Sequence, residues 1–240
     1  MRNYRSFSIA VRIVACAALL TSTMPALRAP AQTPVPASEV KNKPTPALDA
    51  FMKAWDGIDN YHETIVTHET TDDGKSIQDR TYDYKFKKPT YALILITDGP
   101  GKGGGAAWHG GDKVKGHQGG ILSHLKLIVP ITDPRATSLR GDTMVVASFQ
   151  YEINHYLTTP GTVSEAPGPS VDGKPTTAVT LNVSDPKSNG NVSKDVLDID
   201  NATHLTAKRE QYVGSTLVKT ETFKDIQLNP GLKPEDFDIV

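Results

Sequence analysis

Hydrophobic and polar positions alternate most regularly over residues 196–228. Three runs rich in Val, Ile, Thr, Tyr and Phe are separated by turn signals at Asn201 and at Gly214-Ser215. β-branched and aromatic residues suit a pleated surface, and Asn and Gly accept the positive φ of hairpin turns, so an antiparallel three-stranded meander is expected. Lys208, Glu210, Lys219 and Glu221 are spaced two apart and predict a wet face, which leaves the other face to be covered.

Upstream the period changes to that of a helix. Leu48, Phe51, Met52, Trp55 and Ile58 recur at helical spacing after a Thr45 cap and Pro46, which predicts an amphipathic helix ended by Gly57. Strands are expected over 61–70, 80–86 and 91–97, the first two joined by an Asp72-Asp73-Gly74-Lys75 turn. Tyr82, Tyr84 and Phe86 then fall on one face. Within the glycine-dense stretch 99–120, two short strands are expected around Trp108 and Val114. Ile121, Leu122, Leu125, Ile128 and Val129 fit a short helix that could act as a lid on the sheet. Residues 141–157 match both periods, and length favours a helix. Residues 158–176, rich in Pro and Gly, read as a loop before a strand over 177–183.

Residues 1–31 have the make-up of a secretory signal peptide. Arg2, Arg5 and Arg12 precede an apolar run, and Ala29-Pro30-Ala31 forms a small-residue cleavage site. The apolar run is about half the ~20 residues that span a bilayer, so no permanent membrane anchor is expected. Cys16 follows Ile13-Val14-Ala15 as in a lipoprotein signal, but Arg12 interrupts the run upstream and the apolar stretch continues past the cysteine. Residues 32–45, with Pro34, Pro36 and Pro44, read as a flexible linker, and residues 46–240 as one domain. Removing the leader takes away four arginines, no acids and the one cysteine. Twenty-two basic residues then face 27 acidic ones, and the net charge moves from −1 to −5. A nucleic-acid footprint is therefore not expected, and burial alone must stabilise an exported chain without disulfides.

Catalytic signatures are absent. Gly101-x-Gly103-x-x-Ala106 matches a dinucleotide pattern only formally, because Trp108-His109-Gly110-Gly111 follows where a helix would have to start. His62-Glu63 and His68-Glu69 lack zincin spacing, and neither Gly-x-Ser-x-Gly nor Ser-x-x-Lys occurs. Asp195, Asp198 and Asp200 lack the Gly and Glu of a calcium loop. No cofactor and no metal are expected. What stands out is apolar: Phe51, Trp55, Tyr82, Tyr84, Phe86, Tyr91 and Leu93, with Ile121, Leu122 and Leu125, form either a plain core or the lining of a ligand cavity.

The order of elements adds a family likeness. It rests on Leu48-Asp-Ala-Phe-Met-Lys-Ala-Trp55, on Tyr84-Lys-Phe-Lys-Lys-Pro89 and on Gly111-Asp-Lys-Val-Lys-Gly116. The sequence from Leu197 to Tyr212, Phe223-Lys-Asp-Ile-Gln-Leu228 and the closing Glu235-Asp-Phe-Asp238 complete it. In these features the chain resembles the LolA-like superfamily of periplasmic carriers, especially DUF1571-type bacterial members. The resemblance implies an α+β fold: an unclosed antiparallel β-barrel, a highly curved sheet of about eleven strands with helices packed on its concave face. It further implies a non-catalytic periplasmic protein holding a lipid or acylated protein in that concavity. The alternatives are a sensor that engages an envelope protein partner, and a hydrolase using His109, Asp112 and His117. If the concavity holds the ligand, Trp55→Asp or Leu125→Asp should abolish binding while the fold persists.

Overall fold

The computed structural model describes residues 36–239. The expected leader and the first part of the linker lie outside them. One helix, α1 (Pro46–Asp56), precedes five strands: β1 (Asn60–Thr70), β2 (Ile77–Lys87), β3 (Tyr91–Asp98), β4 (Gly105–Trp108) and β5 (Lys113–His117). Then come β6 (Leu127–Pro130), a second helix α2 (Phe149–Thr158), β7 (Gly161–Pro167) and β8 (Thr176–Val183). The chain closes with β9 (Lys194–Asp200), β10 (Thr206–Val213) and β11 (Thr216–Leu228). All eleven strands form one antiparallel sheet in the order β6-β5-β4-β3-β2-β1-β11-β10-β9-β8-β7. The first and last strands thus meet in the middle, and the sheet is left open at β6 and β7. This is the α+β open barrel that the resemblance implied.

Local chemistry places the helices. The Thr45 hydroxyl accepts from Leu48 N at 3.4 Å and caps α1, while Ser148 accepts from Tyr151 N and caps α2. Residues 36–45 are more tightly held than a loose linker. The Asn42 amide donates to the carbonyls of Tyr156 and Thr159 at 2.8 and 2.7 Å and satisfies the last turn of α2. Both helices press aromatic rings onto the concave face. Phe149 stacks on Tyr61 with ring centres 4.6 Å apart, and Trp55 packs edge-on against both.

Three expectations about elements need correction. Residues 121–129 do not form a helix: a single 3-10 turn, Gly120–Leu122, leads into edge strand β6, where pairing with β5 satisfies the backbone. The loop expected over 158–176 contains β7. Only Val163 of this edge strand packs on the core and the rest is largely exposed, so no apolar alternation marks it. Lys208 and Glu210 lie outside and pair with each other, but Lys219 and Glu221 are buried. Pairing of Arg209 with Glu221 and of Gln211 with Lys219 puts all four on the concave face.

Candidate functional site

Three rows of the central strands divide the concave face. Ile96, Tyr82, Ile65 and Phe223 are successive cross-strand neighbours and form an apolar row. The next row reads Arg80, Thr67, Glu221, Arg209, and the one after it Glu69, Lys219, Gln211, Asp195. Alternation along each strand therefore turns from apolar to charged as the chain crosses the sheet.

The charged rows meet α2 in a buried network. Arg209 donates to Asp195 from Nε at 3.1 Å and from Nη2 at 2.7 Å, and Gln211 adds a bond to the same carboxylate at 2.9 Å. Burial alone would raise the Asp195 pKa, but the Arg209 charge and bonds with His155 and Arg209 hold it well below the carboxylate range. Glu152 of α2 accepts from Thr206 at 2.7 Å. Burial pushes its pKa up to about 8, despite the opposing Arg209 charge and Thr206 bond. Glu63 is raised well above its ordinary value by burial and by Glu152 and Glu221, and among the described residues neither of its oxygens finds a hydrogen-bond donor. Such surroundings favour the protonated, neutral form of the carboxyl. The Asp195–Arg209 pair joins β9 to β10 and is sealed from solvent, and the Tyr156 hydroxyl of α2 also donates to Asp195.

A cavity of about 590 Å³ opens beside this network. Its floor is the concave face of β1 to β4, with Ile65, Tyr82, Ile94 and Ile96. Its roof is the segment 134–147, including Met144 and Val146. Glycines 101, 104, 105, 119 and 120 and His117 form one lip. At Gly119 an added Cβ would stand 2.0 Å from Lys102 O, so the lip is a crossing of two backbones too close for any side chain there. At the polar end Lys219 Nζ lies 2.7 Å from Asp142 Oδ2, 3.0 Å from Glu221 Oε1 and 3.3 Å from Glu69 Oε1. Burial opposes the Lys219 charge, but these acids, Asp142 first, raise its pKa well above the usual value. The volume falls within the roughly 300–1,000 Å³ of small-molecule sites; its apolar wall of Ile65, Tyr82, Ile94, Ile96 and Met144 is matched by a polar and charged part that includes Glu69, Arg80, Asp142, Lys219 and Glu221.

The expected lining residues divide into four groups. Phe51, Trp55, Tyr84 and Phe86 fill the space between sheet and helices as packed core, and of the expected set Tyr82 lines the cavity. Tyr91 and Leu93 are on the convex face, where Phe237 and Ile239 of the C-terminal segment cover them. The period of β3 points Ala92, Ile94 and Ile96 inward instead. Ile121 is 90% exposed and Leu125 51% exposed, so neither covers the sheet. Leu122 belongs to the same 3-10 turn. The hydrolase constellation is not assembled. His117 pairs with Gly105 at one end of the β4–β5 hairpin, whereas His109 lies past its other end and bonds to Phe237 O. His62 and His68 face outward onto Asp83 and Asp79, while Glu63 and Glu69 face inward. Among the described residues no group of three His, Cys, Asp or Glu is arranged to hold a metal.

No protein-family model and no curated protein matches the chain. Solved structures do. One is a LolA superfamily protein from Nitrosomonas europaea, 12% identical, with a TM-score of 0.38 over 81% of this chain and 98% of that one. Another is the Mycobacterium tuberculosis lipoprotein LppX, 11% identical, with a TM-score of 0.41 over 80% and 96%. A third is the Pseudomonas aeruginosa MucA/MucB complex, 13% identical, with a TM-score of 0.46 over 81% of this chain and 61% of that one. At such identities function must come from the site itself. In its architecture the chain is similar to LolA superfamily structures.

Proposed function

We propose that this protein is a non-catalytic periplasmic binding protein that holds a lipid or acyl group in the cavity beneath segment 134–147. One observation carries the reading: an open cavity walled by Ile65, Tyr82, Ile94, Ile96 and Met144 stands beside a filled aromatic core. Each methylene buried there contributes ~0.8 kcal/mol, so an alkyl chain gains enough to be held without covalent help. No helix of the described residues is long and apolar enough to cross a membrane. The test is uptake of a fluorescent fatty acid by purified protein. Ile96→Glu puts a charge in the apolar wall and should weaken uptake at least tenfold with the circular dichroism spectrum retained. Ile128→Glu, on the far exposed edge, should leave uptake unchanged. Undiminished uptake in Ile96→Glu contradicts the cavity as the site.

A second reading, a protein-interaction module, is favoured by a different observation. Among the described residues edge strand β6 has no partner on its outer side, and Ile121, Leu125 and Ile128 are exposed on it or just before it. An extended segment of a partner could add to such an edge. Capture of an envelope protein that Ile128→Lys abolishes, with no fatty-acid uptake by the unaltered protein, would favour this module over the carrier.

A further inference from the structure

The cations that line the cavity are not equally committed. Lys219 is consumed by Asp142, Glu221 and Glu69. Arg135 is paired with Asp133 at 2.8 Å, and Lys102 with Asp98 at 3.4 Å. Arg80 is different. Its Nε donates to Pro100 O at 2.7 Å and Nη1 reaches the Tyr82 hydroxyl at 3.5 Å, but among the described residues no carboxylate pairs with it. A guanidinium has five N–H donors, so most of this fork is unspent.

Position matters as much as charge. Arg80 pairs across the sheet with Thr67 and stands two residues from Tyr82, so it shares the cavity face, next to the apolar row. Its far end lies beside Gly101. A Cβ built there would stand 3.4 Å from Nη2 and 3.2 Å from Ile96 Cδ1, and Gly101 has φ +86°. Glycine here lets the backbone come close to both the guanidinium and the Ile96 methyl, which therefore border the same part of the cavity wall. By contrast, the Lys219 corner surrounds one ammonium with three carboxylates, which repels an anion and offers it no spare donor.

Building on the lipid-binding reading, we infer that the cavity takes an amphiphile with one anionic head, a carboxylate or a phosphate. The head sits on Arg80, and the alkyl chain runs along Tyr82, Ile96 and Ile94. A planar guanidinium meets either head group through paired, charge-assisted hydrogen bonds.

The test is a fluorescence titration of the purified protein with cis-parinaric acid and with its uncharged methyl ester. The unaltered protein should prefer the acid by about tenfold, which corresponds to ~1.4 kcal/mol. Arg80→Gln should remove that preference while changing ester affinity less than twofold, and Arg80→Lys should restore part of it. Because Arg80 also holds Pro100 O, a variant that merely disturbs the lip would weaken acid and ester alike, and that result would overturn the assignment. Equal affinity of the unaltered protein for acid and ester would overturn it too, leaving the lipid-binding reading intact. Failure to bind either probe would remove both. Displacement of the acid by myristate or by lysophosphatidylglycerol then tells a carboxylate head from a phosphate one.

Discussion

Arg209 Nη2 stands 2.7 Å from Asp195 Oδ2, and both side chains are within 1% of complete burial. Asp195 also accepts from the Tyr156 hydroxyl at 3.3 Å, and His155 Nε2 lies 3.5 Å away. The pair thus links β9 and β10 to α2. Taking two charges out of water is costly, and the attraction between them offsets that cost only while both are present.

Arg209→Ala should therefore destabilise the fold by ~3–5 kcal/mol, because Asp195 would remain buried without its cation. Urea unfolding measures this. Replacing both, as Arg209→Met with Asp195→Leu, should cost much less than Arg209→Ala alone. A double variant as unstable as the single one would show that the pair does more than neutralise itself.

Glu152 gives the fold a pH dependence of definite sign. Burial raises its pKa from the ordinary 4.5 to about 8, so between those values the folded state holds a proton that the unfolded state has lost. Its contribution is complete below about pH 4.5 and declines as pH rises to about 8. Glu63 and Glu221, also raised, act in the same direction. Asp195, lowered, contributes above its ordinary 3.8 and is lost in acid. Stability should peak on the acid side of neutrality and fall by a few kcal/mol towards pH 8. Glu152→Gln should flatten part of that fall, as urea midpoints at pH 5, 6.5 and 8 would show. An unchanged slope would mean that Glu152 is ionised in the folded protein.

Much of the fold is legible in the sequence, but little of the site is. The α1 stripe, the Tyr82-Tyr84-Phe86 alternation and the closing meander each form where the pattern puts them. Within one strand, period two says which residues share a face, but the pairing across a turn decides which face that is. Lys219 and Glu221 read as wet for this reason, and they became part of the buried network. The cavity is less legible still. Its floor takes one or two residues from each of several strands. Its roof joins 134–140, where Pro and Asp mark turns, to 141–147, which reads by period as part of the following helix but folds as a 3-10 turn. Arg80 gave a faint signal as a charged residue in register with Tyr82. The apolar run 121–129 misleads because an edge strand beside a glycine-rich hairpin leaves apolar side chains in water.

Trp55 belongs to the core, and that changes what its substitution does. Its Nε1 donates to Gln150 Oε1 at 2.8 Å, and Lys88 Nζ lies 4.0 Å from the ring centre. Trp55→Asp would empty the aromatic core and put a carboxylate among Tyr61, Phe86 and Phe149, so the protein should fail to fold rather than fold and lose its ligand. Trp55→Ala should cost ~3–5 kcal/mol in thermal or urea unfolding. Leu125→Asp, on the exposed side, should change stability by no more than ~0.5 kcal/mol. A folded Trp55→Asp would contradict the packed core.

Gly119 tests the lip of the cavity. An alanine there would drive its Cβ into Lys102 O, and the clash is with backbone on both sides. Gly119→Ala should destabilise by ~1–3 kcal/mol. It should also alter the rate of fatty-acid uptake in stopped-flow fluorescence if ligand enters past the crossing of 101–104 with 117–119, which borders the cavity. Unaltered stability and uptake would place the entrance elsewhere.

Native mass spectrometry of the protein purified from its native host without detergent, followed by solvent extraction, tests the central claim most directly. Lipid binding predicts an added mass that extracts as an amphiphile with an alkyl chain. An unliganded mass, together with no uptake of an added fluorescent fatty acid, would contradict it.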